Sequence, residues 1–94
     1  MRVLIIGSGN AGQYLAEKLC EEKHDVVLID RSEEALAEVQ SQLDILTIEG
    51  AGSSPRILEQ AEVRKADLVV AVTDSDEANI LACVMANAAG VQHT

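Results

Sequence analysis

The first residues able to do chemistry lie in the run VLIIGSGNAG, residues 3–12, where Gly7, Gly9 and Gly12 follow a β-branched apolar stretch. Glycines at this spacing let a main chain approach a phosphate. The first permits a turn at positive φ out of a strand, the second removes the Cβ between backbone and ligand, and the third lets a helix pack close to the strands. A purely structural tight turn uses the same residues, and GxGxxG alone is weak evidence. Its context gives it weight: an apolar strand precedes it, an amphipathic helix follows, and Asp30 ends the next apolar run 18 residues after Gly12. Together these features make up the dinucleotide-binding fingerprint.

Asp30 is suited to accept hydrogen bonds from the adenosine ribose hydroxyls, and its charge repels a 2′-phosphate. NAD(H), ADP or ATP is therefore expected over NADP. Arg31 is placed to stack on adenine or to pair with a 2′-phosphate, or else it is a solvated surface residue. Two further loops, Gly50-Ala51-Gly52-Ser53 and Thr73-Asp74-Ser75-Asp76, follow the third and fourth apolar runs. In an open parallel sheet such loops line the ligand crevice, with Gly50 and Ala51 toward adenine and Thr73 and Asp74 toward the phosphates or second ribose. Turn formation and helix capping explain the same residues equally well. The acids Asp74, Asp76 and Glu77 read as capping groups and dipole complements rather than as a metal site.

These loops need a scaffold, and the rest of the pattern supplies one. Strands are expected at Arg2 to Ile6, Asp25 to Asp30, Asp44 to Glu49 and Asp67 to Thr73. The expected helices are Asn10 to Glu22, Glu33 to about Gln42 behind a Ser32 cap, Pro55 to roughly Glu62, and Asp76 to Ala89 behind Ser75 or Asp74. Strands alternating with helix-length connections specify an α/β fold, a Rossmann-type doubly wound parallel sheet with right-handed crossovers. Such sheets usually carry five or six strands, so the four found here, with VQHT opening a fifth, read as the N-terminal part of a longer protein. Residues 1–94 form one domain. The last helix is apolar almost all round and is expected to be buried on more than one side, partly by another subunit or by further sequence.

Composition narrows the function. The net charge of −9 repels nucleic acid and anionic membrane surfaces, and Tyr14 as the only aromatic leaves no base-stacking platform. A bound phosphate must then be held by local backbone amides. No apolar run is long enough to cross a bilayer, so any membrane association is expected through a partner. Cys20 and Cys83 follow no metal-binding spacing and read as reduced thiols. His24 and His93 have no neighbours suggesting acid–base chemistry, so no catalytic residue is assigned.

Three segments, VLIIGSGNAGQYLAEKL, VVLIDRSEEAL and ADLVVAVTDSDEANILAC, give the chain its family resemblance. It resembles the N-terminal nucleotide-binding domain, of the RCK/KTN or TrkA-N type, of the regulatory subunits of Trk- and Ktr-type potassium uptake systems. The first segment is common to all dinucleotide folds; the DSDEAN segment is more specific. The resemblance implies a cytoplasmic, non-enzymatic sensor of NAD(H) or ADP/ATP. It would assemble as a homo-oligomer, a dimer or larger, and lie peripheral to the inner membrane through a transmembrane potassium transporter or channel subunit. Carried over by position, the binding residues are Gly7, Gly9, Asn10, Ala11, Gly12, Asp30, Arg31, Thr73, Asp74 and Asn79; Ser8 within the glycine loop and Gly50 and Ala51 in the third loop complete the candidate set by their place in the sequence. Where the family often has Gly-Asp after the third strand, this chain has Gly50-Ala51, so no contact through that aspartate carries over. The competing reading is the cofactor-binding half of an NAD-dependent oxidoreductase.

Overall fold

A computed structural model describes all 94 residues. In chain order it contains β1 (Arg2–Ile6), α1 (Asn10–Glu21), β2 (Asp25–Asp30), α2 (Glu33–Gln40), β3 (Leu46–Glu49), α3 (Pro55–Gln60), a 3-10 turn (Val63–Lys65), β4 (Leu68–Ala71) and α4 (Asp76–Ala88). All strand pairs are parallel and the order is β3-β2-β1-β4, so the chain builds outward from β1 and then crosses back to lay β4 on its other side. Right-handed crossovers in these two directions place α1 and α2 on one face and α3 and α4 on the other. The class is α/β, doubly wound, as the alternation of elements predicts.

A sheet covered on both faces needs strands that are apolar on both sides. Val3, Ile5, Val26 and Leu28 pack with Ala16, Leu36 and Val39 on the first face. Leu4, Ile6, Val27 and Ile29 pack with Ile57, Leu58, Ala82 and Ala86 on the second. Each such fully buried branched side chain contributes about 1.5–3 kcal/mol relative to exposure. Burial of the central strands therefore dominates the stability. Beyond β4 the Val69 N–H donates to the His93 carbonyl at 2.9 Å, and Leu68 bridges His93 in parallel, so the final residues begin to extend the sheet where VQHT is expected to.

The ends of the elements are shorter than the pattern predicts. Strand β3 begins at Leu46 rather than Asp44, because its pairing with β2 starts at Val27↔Leu46. Helix α2 ends at Gln40: Ser41 closes it, its hydroxyl donating to the Glu38 carbonyl at 2.6 Å. Helix α3 stops at Gln60, short of Glu62, which takes a left-handed φ of 57° before the 3-10 turn. Within the single chain helix α4 buries only Ala82 and Ala86 completely, against the sheet, and Ile80 and Val84 stay 65% and 58% exposed, on the side for which cover by another subunit or by further sequence is expected.

The first turn of α1 rests directly on the end of β1. A Cβ built on Gly12 would collide with the Gly7 carbonyl oxygen, whereas one on Gly9 meets nothing within 4 Å. Gly12→Ala is accordingly expected to destabilise the domain by about 1–3 kcal/mol, as overpacking does. Gly9→Ala should leave the urea unfolding midpoint nearly unchanged. Equal midpoints for the two variants would show that α1 can shift away from β1 at no cost.

Candidate functional site

In an all-parallel sheet the carboxyl ends of the strands share one edge, and every loop singled out in the sequence emerges there. Main-chain hydrogen bonds continue the ladder into the loops: Gly7 N–H to the Ile29 carbonyl, Gly50 N–H to Asp30 and Val72 N–H to Ile6, each at 2.8 Å. Gly7 has a φ of 111°, and a Cβ there would stand 2.8 Å from the Val72 carbonyl oxygen, so the first loop lies against the fourth. The 3-2-1-4 order reverses direction between β1 and β4, which is the switch point at which open α/β sheets bind ligands.

At the head of α1, Gly9, Asn10 and Ala11 are exposed residues whose amides have no acceptor in the chain. Gly9 is the cap residue and makes no side-chain cap, and the first turn carries no acid. The other long helices complete their own ends. Ser32 accepts from Ala35 N–H ahead of Glu33 and Glu34, and Ser75 accepts from Ala78 N–H ahead of Asp76 and Glu77. A helix start carries roughly half a positive charge, and no side chain of α1 itself offsets it. Although the chain is acidic overall, charges beyond about 8 Å are screened at physiological salt, so the unpartnered amides and the neighbouring Asp30 set the local field.

Asp30 sits beside that end and ties it down. Its Oδ2 accepts from Ser8 N–H and its Oδ1 from Ser32 N–H, both at 2.7 Å. Partial desolvation pushes the carboxyl pKa up, but the hydrogen bonds from Ser32 and Ser8, with a further one from Arg31, outweigh it, and the net shift is downward. A carboxylate offers about four acceptor positions, and only the Ser8 and Ser32 amides bond it at full hydrogen-bond geometry, so some acceptor capacity remains for a ribose hydroxyl. Arg31 is exposed and flanks this group.

The fourth loop is locked internally. Asn79 Oδ1 accepts from Thr73 N–H at 2.9 Å and from its hydroxyl at 2.6 Å, while Asn79 Nδ2 donates to the Thr73 carbonyl at 3.1 Å. Asn79 therefore shapes the loop with both ends of its amide, and Asp74, next to it, stays exposed. Gly50 and Ala51 lie at the edge beside Asp30, and a Cβ on Gly52 would collide with Ile6, so that glycine is demanded by packing. The sequence reading did not single out Gln13, whose Nε2 donates to the Ser8 carbonyl at 2.6 Å. Only its position, one residue beyond the last loop glycine, pointed to it. A concavity of about 590 Å³ between α3, the 3-10 turn and α4, lined in part by Leu58, Val63 and Met85, shares no residue with these loops. Here free amide donors, rather than enclosed volume, mark the site.

Cys20 is not poised as a nucleophile: burial, and then Asp44, raises its thiol pKa. Both histidines belong to the opposite edge. His24 Nδ1 lies 3.2 Å from the N-terminal ammonium, and His93 pairs with the first residue of β4.

A glycine turn after β1, an acid ending β2 and the 3-2-1-4 parallel order define a Rossmann-type domain. Residues 3–94 match the TrkA-N domain family, and the chain belongs to it. The Trk system potassium uptake protein TrkA of Halomonas elongata is 42% identical over 93% of this chain, which spans only 19% of that relative's length. The NAD complex of the enzyme WbmG from Bordetella bronchiseptica superposes with a TM-score of 0.78 at 28% identity, covering 98% of this chain and 35% of WbmG. The AMP-bound Kef CTD of Shewanella denitrificans superposes with a TM-score of 0.78 at 23% identity, over 94% of this chain and 52% of its own, a likeness of fold alone.

The lowered pKa of Asp30 has a pH signature. A carboxyl whose folded pKa lies below its ordinary value of 3.8 contributes stability that is fully present above that value and is lost as pH falls through the folded pKa. The difference in melting temperature between wild type and Asp30→Asn should therefore be constant above about pH 5 and shrink below pH 4. A difference independent of pH down to 2.5 would show that the Ser8 and Ser32 amides do not hold the charged form.

Proposed function

We propose that this domain binds an adenine nucleotide, NAD(H) or ADP/ATP, at the carboxyl edge of its sheet, and that it is a regulatory rather than catalytic module. The observation that carries the reading is the uncapped, acid-free start of α1, with unpartnered amides at Gly9, Asn10 and Ala11 beside the Asp30 carboxylate. Those amides would take the phosphates, Asp30 the ribose hydroxyls, and Gly50, Ala51 and Arg31 the adenine side. Thr73 and Asp74, in the loop shaped by Asn79, would face the second half of the ligand. The NAD bound by WbmG, a neighbour of the same fold, supports a dinucleotide as one candidate.

Membership of the TrkA-N family and 42% identity to a potassium uptake protein support a role in controlling potassium transport. No helix is long and apolar enough to cross a membrane, so that control would pass through a transmembrane transporter or channel subunit. In this reading the domain works in the cytoplasm at the inner membrane, as part of a homo-oligomer. The oxidoreductase alternative has less support. Hydride transfer needs groups that position a substrate against the nicotinamide. Both histidines stand at the opposite edge, and Cys20 is held in its thiol form.

Calorimetric titration with NAD+, NADH, ADP, ATP and NADP+ tests the reading, with NADP+ expected to bind weakest. Gly9→Val should weaken ADP and NAD(H) by more than tenfold while shifting the melting temperature little, because its side chain points into open space in the free domain. Unchanged affinity in that variant would remove the phosphates from the glycine loop.

A further inference from the structure

Ser8 is gripped by side chains at both of its main-chain groups: Asp30 takes its N–H at 2.7 Å and Gln13 holds its carbonyl at 2.6 Å. The second grip has a geometric consequence for its neighbour. A trans peptide points its C=O and N–H in opposite directions, so turning the Ser8 carbonyl toward Gln13 sends the Gly9 N–H the other way. No group in the chain accepts that N–H. The Ser8 carbonyl is also the position to which Gly12 N–H would bond if α1 wound back one residue. That bond is not made, and the helical ladder begins only with Gln13 N–H to the Gly9 carbonyl at 2.9 Å. Gln13 thus fixes the plane of the Ser8–Gly9 peptide from one turn inside the helix and keeps the loop from coiling into it.

We propose that Gln13 is a positioning residue of the phosphate site: by holding the Ser8 carbonyl it keeps the Gly9 amide aimed at the ligand's phosphates. This inference rests on the nucleotide reading above. It assigns a specific task to a residue that the amphipathic pattern places on the polar face of α1. The partner it implies is a phosphate oxygen of an adenosine diphosphate group, since adenosine itself has nothing for the Gly9 amide to meet.

That difference provides the test. Gln13→Met keeps the length of the side chain and removes its donor. Affinities for ADP and for adenosine are measured on the 15N-labelled chain by NMR titration, which reaches weak binding. For the methionine variant, ADP is expected to bind about five- to tenfold more weakly, the worth of one hydrogen bond, with adenosine changed less than twofold. Equal losses for both ligands would assign Gln13 a merely structural role and overturn the inference. So would an unchanged ADP affinity in the variant. Failure of the wild-type chain to bind ADP at all would overturn the nucleotide reading itself, an outcome distinct from the other two.

Discussion

Between the first turn of α1 and the end of β1 there is no room for a side chain: Gly12 lies against the Gly7 carbonyl, and Gly7 lies against the Val72 main chain. Three main-chain segments meet there with only hydrogen atoms between them. That close approach seats the start of α1 at the edge where β1 and β4 diverge. It also forces the positive φ at Gly7, which turns the chain from strand to helix within three residues, and it is supported from below by the wholly buried Leu4, Ile5, Leu28 and Ile29. The open amides of Gly9, Asn10 and Ala11 are a by-product of this packing, because a helix started so abruptly has no residue in place to cap it.

Asp30 links that packing to electrostatics. Its carboxylate sits beside the uncapped helix start and takes the Ser8 amide on one oxygen and the Ser32 amide on the other. The charge that would distinguish a ribose hydroxyl from a 2′-phosphate is thus the same charge that fixes the loop. Asn79 does the corresponding work across the edge, folding Thr73 back on itself. The loops are shaped before any ligand arrives, which lowers the entropic cost of binding.

Much of the fold was legible in the sequence because its signals are local and redundant. RVLII, DVVLID and DLVVAVT are near-continuous apolar runs, as strands of a parallel sheet covered on both faces are, and Pro55, Ser32 and Ser75 mark helix starts by their chemistry. The misread ends have physical causes that cannot be seen from local pattern. Glu62 takes a left-handed conformation that no residue type near it announces, and the start of β3 is set by where β2 offers a partner. The glycine loop and Asp30 were legible because their spacing is itself the geometry. Gln13 and the double role of Asn79 were not, since a hydrogen bond to a main-chain carbonyl leaves no periodicity and an amide on a helix reads as solvated. The all-apolar composition of α4 exceeds what the sheet uses, since Ala82 and Ala86 suffice where the helix meets it, and Ile80 and Val84 remain on the side for which cover from outside the chain is expected.

Placement of the phosphates at the start of α1 is the claim on which the functional account turns. A crystal structure of the chain grown with ADP tests it most directly. The account predicts phosphate oxygens within hydrogen-bonding distance of the Gly9, Asn10 and Ala11 amides, with the ribose hydroxyls on Asp30. A nucleotide seated instead in the concavity between α3 and α4, or with its phosphates turned away from the glycine loop, would contradict it.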